Sequence, residues 1–211
     1  RTALENEFLP SGTALNTMST GSTVADTMVD VVTVELRTGP SPDLANTVAT
    51  SDSAWINSNG YLTDFKSGGT SPTVQFCGPG AINGNYYVMI RHRNHLPLIS
   101  DVLLALDETD PGTYLDLSVA GNVFQPDQNS IEIDTSPSRF GLAMGNLIDY
   151  PWEFRPQINA LDYFEARVGT VLATPNTYDR ADANVNGQLD SDDVTDIQSN
   201  TDQILVSFLP N

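Results

Sequence analysis

Residues 29–37, Val29-Asp30-Val31-Val32-Thr33-Val34-Glu35-Leu36-Arg37, read as a β-strand. β-Branched residues crowd the stretch and acids interrupt them, the pattern of a pleated surface with one dry and one wetter face. Asn85–Arg93 (NYYVMIRHR) has the same character. Weaker strands are predicted at Thr47–Thr50, Ala54–Asn57, Tyr61–Phe65, Thr73–Phe76, Val102–Leu106 and Tyr114–Val119. Turn chemistry separates them: Gly39, Pro40 and Pro42 after the first strand, Asn59-Gly60 as a hairpin signal, and Asp110-Pro111-Gly112. Short strands at this spacing predict a mainly β chain built on an antiparallel sandwich, Ig-like or prealbumin-like, over residues 29–122. Residues 1–28 read as an extended Thr/Ser-rich arm, and 123–145 as a connecting segment with one strand at Ser130–Asp134.

The composition agrees. Across 211 residues there are 27 acids and nine bases, a formal charge of −18, although charged residues make up only 17%. The acidity therefore reflects a shortage of bases, with Lys66 the one lysine. Such a chain repels phosphate backbones and anionic lipid, so neither nucleic acid nor a membrane surface is expected as a partner. No apolar run is long enough to span a bilayer, so no membrane insertion is expected. Hard cations suit this excess of carboxylates. Cys77 is the single cysteine, so no internal disulfide staples the fold. Arg1 opens no signal-peptide pattern, and any targeting segment is expected to lie outside the sequence.

Past Phe140 the texture changes. Asn159–Val168 and Ser191–Ser199 carry apolar residues at helical spacing, and Gln203–Leu209 suits either a closing strand or a helix continuation. Between the two helices lies Asp182-Ala-Asn-Val-Asn-Gly-Gln-Leu-Asp-Ser-Asp-Asp193. Asp182, Asn184 and Asn186 fall at loop positions 1, 3 and 5 of an EF-hand, Gly187 at the sharp turn, Gln188 at the carbonyl position, and Asp190 and Asp193 at 9 and 12. Ca²⁺ wants six to eight oxygens, and alternate side chains of one tight loop can supply them. The departure is Asp193, where a bidentate Glu is usual. Without a cation, Asp182, Asp190, Asp192 and Asp193 repel; with one, binding free energy becomes folding free energy. The competing reading is an acidic turn that holds no metal.

An Asp at position 12 followed by a helix resembles one half of a dockerin. Ile158 to Phe164 match the end of a second half, with Asn159 and Asp162 standing 31 residues before Asp190 and Asp193. The front of that first loop is degraded, with Pro151, Glu153, Arg155 and Pro156 where ligands and a glycine should be. Asp149, Glu153 and Asp162 remain as an irregular candidate site. The resemblance implies a small dockerin-like calcium-binding region over 146–211, with one intact and one degraded loop.

Both histidines and two of the bases lie in Arg91-His92-Arg93-Asn94-His95-Leu96. A catalytic or metal-binding pair, His92 with His95, is one reading. On a strand, however, the two point to opposite faces, and no nucleophile elbow or zinc motif accompanies them. The preferred reading has Arg91 and Arg93 on one strand face, paired with carboxylates of this chain or of a neighbour.

Asp30-Val31-Val32-Thr33-Val34-Glu35-Leu36-Arg37 together with Tyr86-Tyr87-Val88-Met89-Ile90-Arg91-His92-Arg93-Asn94-His95-Leu96 resembles a family of large secreted cell-surface proteins of Bacteroidetes-type bacteria. Members pair a DWV-x-VELR strand with a YYV-x-x-RHRNHL strand and often carry a dockerin-like region afterwards; Val31 stands where Trp is common. The resemblance covers residues 4–120 and the calcium loop. It implies export and a surface location, assigns no catalytic residues, and lacks the sorting domain usual in such proteins, as expected of a processed or shortened chain.

Three functions are weighed. An extracellular, calcium-stabilised structural subunit would assemble with copies of itself into a filament or layer, its arm adding a strand to a neighbour's sheet. A surface binding module would dock a cell-surface protein, or a glycan through Trp55, Tyr61, Tyr86 and Tyr87. A hydrolase would need two carboxylates at catalytic separation. The first is preferred, and no catalytic residue is assigned.

Overall fold

The computed structural model describes residues 28–57, 60–65, 73–76, 83–107, 114–135, 137–147, 157–172, 181–184 and 188–203. They form a mainly antiparallel β protein with a few helices. The predicted first strand is β1, Met28–Thr38, and it lies at the centre of a six-stranded sheet. β2 (Thr47–Asn57) flanks it on one side and carries β3 (Leu62–Asp64). β4 (Gly84–Arg91) flanks it on the other and pairs with both β5 (Leu98–Ile99) and β6 (Leu104–Leu106). β7 (Ser130–Thr135) and β8 (Ser138–Leu142) make a separate hairpin preceded by a single helical turn, α1 (Pro126–Asn129). Two longer helices follow, α2 (Ala160–Leu172) and α3 (Ser191–Asp202). Among the described residues no helix is long and apolar enough to cross a membrane.

Alternation along β1 explains the packing. Val32, Val34 and Leu36 are buried on one face with Ala54, Val88 and Ile90. Tyr87, Met89 and Ile99 are buried on the opposite face against Ala45 and Phe124. Tyr86 and Tyr87 thus serve different faces, as period-two geometry requires. Trp55 is fully enclosed, stacks on Phe65 and donates its indole N–H to the Phe65 carbonyl at 3.2 Å.

Several sequence expectations need correction. Thr47–Thr50 and Ala54–Asn57 are one strand, because β1 continues opposite Ser51, Asp52 and Ser53 and keeps the ladder intact through this polar stretch. Thr73–Phe76 and Tyr114–Val119 form no strand. Their alternation arises because Val74, Phe76, Leu115 and Leu117 pack against the first sheet face as unpaired cover. The second strong strand ends at Arg91 and not Arg93, since residues 92–95 turn. The strand predicted at Ser130–Asp134 is β7, and β8, which was not predicted, pairs with it. Both helices run past their expected ends, to Leu172 and Asp202. The arm before residue 28, Cys77, the turn at 110–112 and the tail from residue 204 lie outside the described residues.

A second core sits under α2 and α3. It consists of Leu96, Ala143, Leu147, Ile158, Ala166, Ala181, Ala183 and Ile197, with Leu189 and Val194 packed against it. Leu96 belongs to the turn that follows β4, so the sheet reaches directly into the helical region.

Candidate metal centre and its histidine support

The acidic loop ends at α3, and its last carboxylate acts as a clasp. Asp193 is completely buried. Its Oδ1 accepts from the backbone N–H of Ala183 at 2.9 Å and of Asn184 at 3.2 Å, and its Oδ2 accepts from Asp190 N–H at 2.9 Å. Asp190 is the helix N-cap, and its Oδ1 accepts from Asp192 N–H at 2.8 Å, so the two acids form a capping box. Burial pushes the Asp193 carboxyl up, and the neighbouring Asp190 charge adds to this, while the three N–H donors oppose it. Asp182 is also buried, Asp190 half-buried, and Gln188 exposed. Leu189, at the position predicted to pin the loop, packs into the second core.

Of the predicted ligands, Asp182, Asn184, Gln188, Asp190 and Asp193 are described, whereas Asn186 lies outside, as do Asp149 and Glu153 of the degraded half. Among the described residues no three His, Cys, Asp or Glu side chains converge as a metal-holding group. The donor chemistry still fits a hard cation: the described donors are all oxygens, two of the carboxylates are buried, and a carboxylate oxygen with one N–H partner keeps a lone pair.

The first half repeats the clasp. Asp162 is completely buried; its Oδ1 accepts from Leu147 N–H at 2.7 Å and its Oδ2 from Asn159 N–H at 2.9 Å. Asn159 Oδ1 in turn accepts from Leu161 N–H at 2.7 Å. Asn159, Leu161 and Asp162 thus make the same bonds as Asp190, Asp192 and Asp193, each 31 residues later. Only the reach back differs, to Leu147 in one half and to Ala183 in the other.

The histidine turn braces this loop. His92 and His95 do not diverge as strand geometry predicts. Because the chain turns after Arg91, their rings meet edge to face, with the two Nδ1 atoms 2.7 Å apart. His92 Nε2 lies 2.9 Å from Asp30 Oδ2, and His95 Nδ1 lies 2.7 Å from Asn94 Oδ1. An amide oxygen only accepts, so His95 Nδ1 carries the proton, His92 Nδ1 accepts, and His92 Nε2–H donates to Asp30. Burial above all holds His95 well below the usual histidine range; the charge His92 carries when protonated and that of Arg93 add to this, and Asp30 opposes it. Asn94, itself fully buried, donates its side-chain N–H to the Asp182 carbonyl at 2.6 Å, and its own carbonyl accepts from Gly145 N–H at 2.7 Å. Asn94 therefore links the histidine turn to loop position 1.

Arg91 and Arg93 both pair within the chain: Arg91 with Glu35 at 3.1 Å and Arg93 with Asp30 at 3.3 Å. They do not share a strand face, because β4 stops at Arg91. Glu35 also holds the buried Arg37 at 2.6 Å. Sequence reasoning missed Asp30 and Asn94. The available signal was a carboxylate among valines and an amide between two histidines. No protein-family model, curated protein or solved structure matches the chain.

Proposed function

We propose that the chain is an extracellular, non-catalytic structural subunit, stabilised by calcium, that assembles with copies of itself at a cell surface. The observation that carries this reading is the repeated aspartate clasp: two loop–helix halves closed by equivalent bonds, as in a dockerin-like region, with the more acidic loop retaining the ligand sequence. Asp182, Asn184, Asn186, Gln188, Asp190 and Asp193 would hold the ion, and the ion would neutralise carboxylates whose burial disfavours their charge. The resemblance to secreted Bacteroidetes-type surface proteins, and the sandwich architecture, belong to the same proposal. Strand exchange draws support from β2. Among the described residues, β3 pairs only with Ala54–Ile56, and Thr47–Ala49 and Ser51 are exposed on the same strand.

Thermal unfolding with and without a chelator tests the metal. Chelation lowers the melting temperature, Asp182→Ala with Asp193→Ala removes the response, and Asn184→Ala weakens it while leaving the Asp193 clasp in place. An unchanged melt on chelation would falsify calcium binding. Sedimentation and negative-stain imaging test assembly: the intact chain forms polymers, and removal of residues 1–22 leaves monomers. The alternative, a glycan-binding surface, is weakened because Trp55 and Tyr87, two of its four aromatics, lie in the core.

A further inference from the structure

Helix α2 buries one side and leaves an apolar seam on the other. Asp162 and Ala166 face inward and are fully buried. Leu161, Phe164, Val168 and Val171 are exposed at 43%, 63%, 37% and 81%. Their spacing of three, four and three residues is that of successive a and d positions in a coiled coil, sustained over the length of the helix. A solvated helix face in so acidic a chain has no reason to carry four large apolar residues in register.

The flanks of the seam select the partner. Counting Leu161 and Val168 as a and Phe164 and Val171 as d, Glu165 occupies e and Arg167 occupies g, both exposed. Arg167 also donates to Tyr163 Oη at 3.1 Å, which directs it along its own flank. If a second α2 lies antiparallel, e faces e and g faces g, so Glu165 meets Glu165 and Arg167 meets Arg167. If it lies parallel, about a two-fold axis along the helices, each e flank faces the other g flank. Glu165 then approaches Arg167 of the other copy with an axial offset of about 3 Å, two residues of helix rise. Only the parallel arrangement is complementary in charge, and it is self-complementary, as a closed two-fold contact must be.

We propose that α2 pairs in parallel with α2 of a second copy of this chain, through Leu161, Phe164, Val168 and Val171, with Glu165 and Arg167 setting the orientation. This names one contact for the assembly proposed above, but it stands on α2 alone and requires neither the terminal arm nor the exposed residues of β2.

Sedimentation equilibrium of the full chain over a hundredfold concentration range, with calcium and with chelator, tests it. Phe164→Glu and Val168→Glu, at exposed positions, leave the melting temperature unchanged at concentrations where the native chain is monomeric, and weaken dimerisation at least tenfold. Glu165→Arg alone weakens it by setting Arg against Arg167, and the exchange Glu165→Arg with Arg167→Glu restores it. A chain that is monomeric throughout, or a dimer indifferent to Phe164→Glu, overturns the proposal; failure of the exchange to restore pairing overturns the parallel orientation. The two assembly ideas separate cleanly. Polymers that survive Phe164→Glu keep strand exchange and discard this contact, whereas a dimer lost in Phe164→Glu without larger species keeps this contact and discards strand exchange.

Discussion

Asn94 joins three parts of the molecule through one short side chain and its own carbonyl. Its amide N–H holds the Asp182 carbonyl, its amide oxygen takes the His95 proton, and its main-chain oxygen takes Gly145 N–H. Asn94→Ala removes both side-chain bonds in a buried setting and should cost about 2–3 kcal/mol. It should also weaken the calcium response, read as a smaller melting shift on chelation, because loop position 1 loses its anchor. His95 makes a second prediction. Its folded pKa lies well below the ordinary histidine value of 6.5, so the unfolded chain binds its proton first on acidification. The stability that follows is complete above pH 6.5 and is lost as pH falls below it, by at most about 1.4 kcal/mol per pH unit, until the folded pKa is reached. Melting temperatures measured at pH 7.5 and about 5.5 should therefore fall more for the native chain than for His95→Asn, which has no proton to gain there. Asp30, His92, Arg93 and Asn94 are the groups that face this ring.

At the scale of elements, the two clasps are the same device used twice. Asp162→Asn keeps the shape but turns one acceptor into a donor that faces an N–H, and should cost about 1–3 kcal/mol in chemical denaturation. The cost should not depend on calcium, since Pro151, Arg155 and Pro156 stand where the first loop's ligands and glycine should be. Asp193→Asn should be worse in calcium than in chelator, provided the loop holds the ion. Gly145 marks the joint between sheet and helices. It has φ +114°, and a Cβ there would sit 3.0 Å from Ile197 Cγ1. Gly145→Ala combines backbone strain with crowding and should cost about 1–3 kcal/mol, seen as a lower denaturant midpoint. Elements of this kind were legible from sequence where the pattern is local. β1 announces itself by alternation, the turn between Asn57 and Tyr61 by Gly60, whose φ is +79°, and Asp190 with Asp193 by spacing. Thr73–Phe76 and Tyr114–Val119 alternate as well as a strand does, and nothing local distinguishes covering a sheet from joining it. The meeting of His92 with His95 was hidden because it depends on where β4 stops. The Asn94–Asp182 bond was hidden because its partners are 88 residues apart.

For the whole molecule, calcium is expected to act as a ligand of the native state alone. At a free concentration 100-fold above its dissociation constant it would add about 2.7 kcal/mol, so the melting temperature should rise with the logarithm of added calcium and magnesium should do less. The −18 charge makes the same chain sensitive to salt. The bond from Asn94 to the Asp182 carbonyl reaches further still. Leu96 and Asn94 follow a strand in the middle of the sequence, yet Leu96 packs with Ala181, Ala183 and Ile197, and Asn94 donates to the Asp182 carbonyl. A nascent chain released only as far as β8 would display that leucine and leave that amide without its carbonyl. Refolding should accordingly be limited by closure of this long loop, and a protease added during the delay should cut first after Arg91 or Arg93, while the turn still waits for the end of the chain.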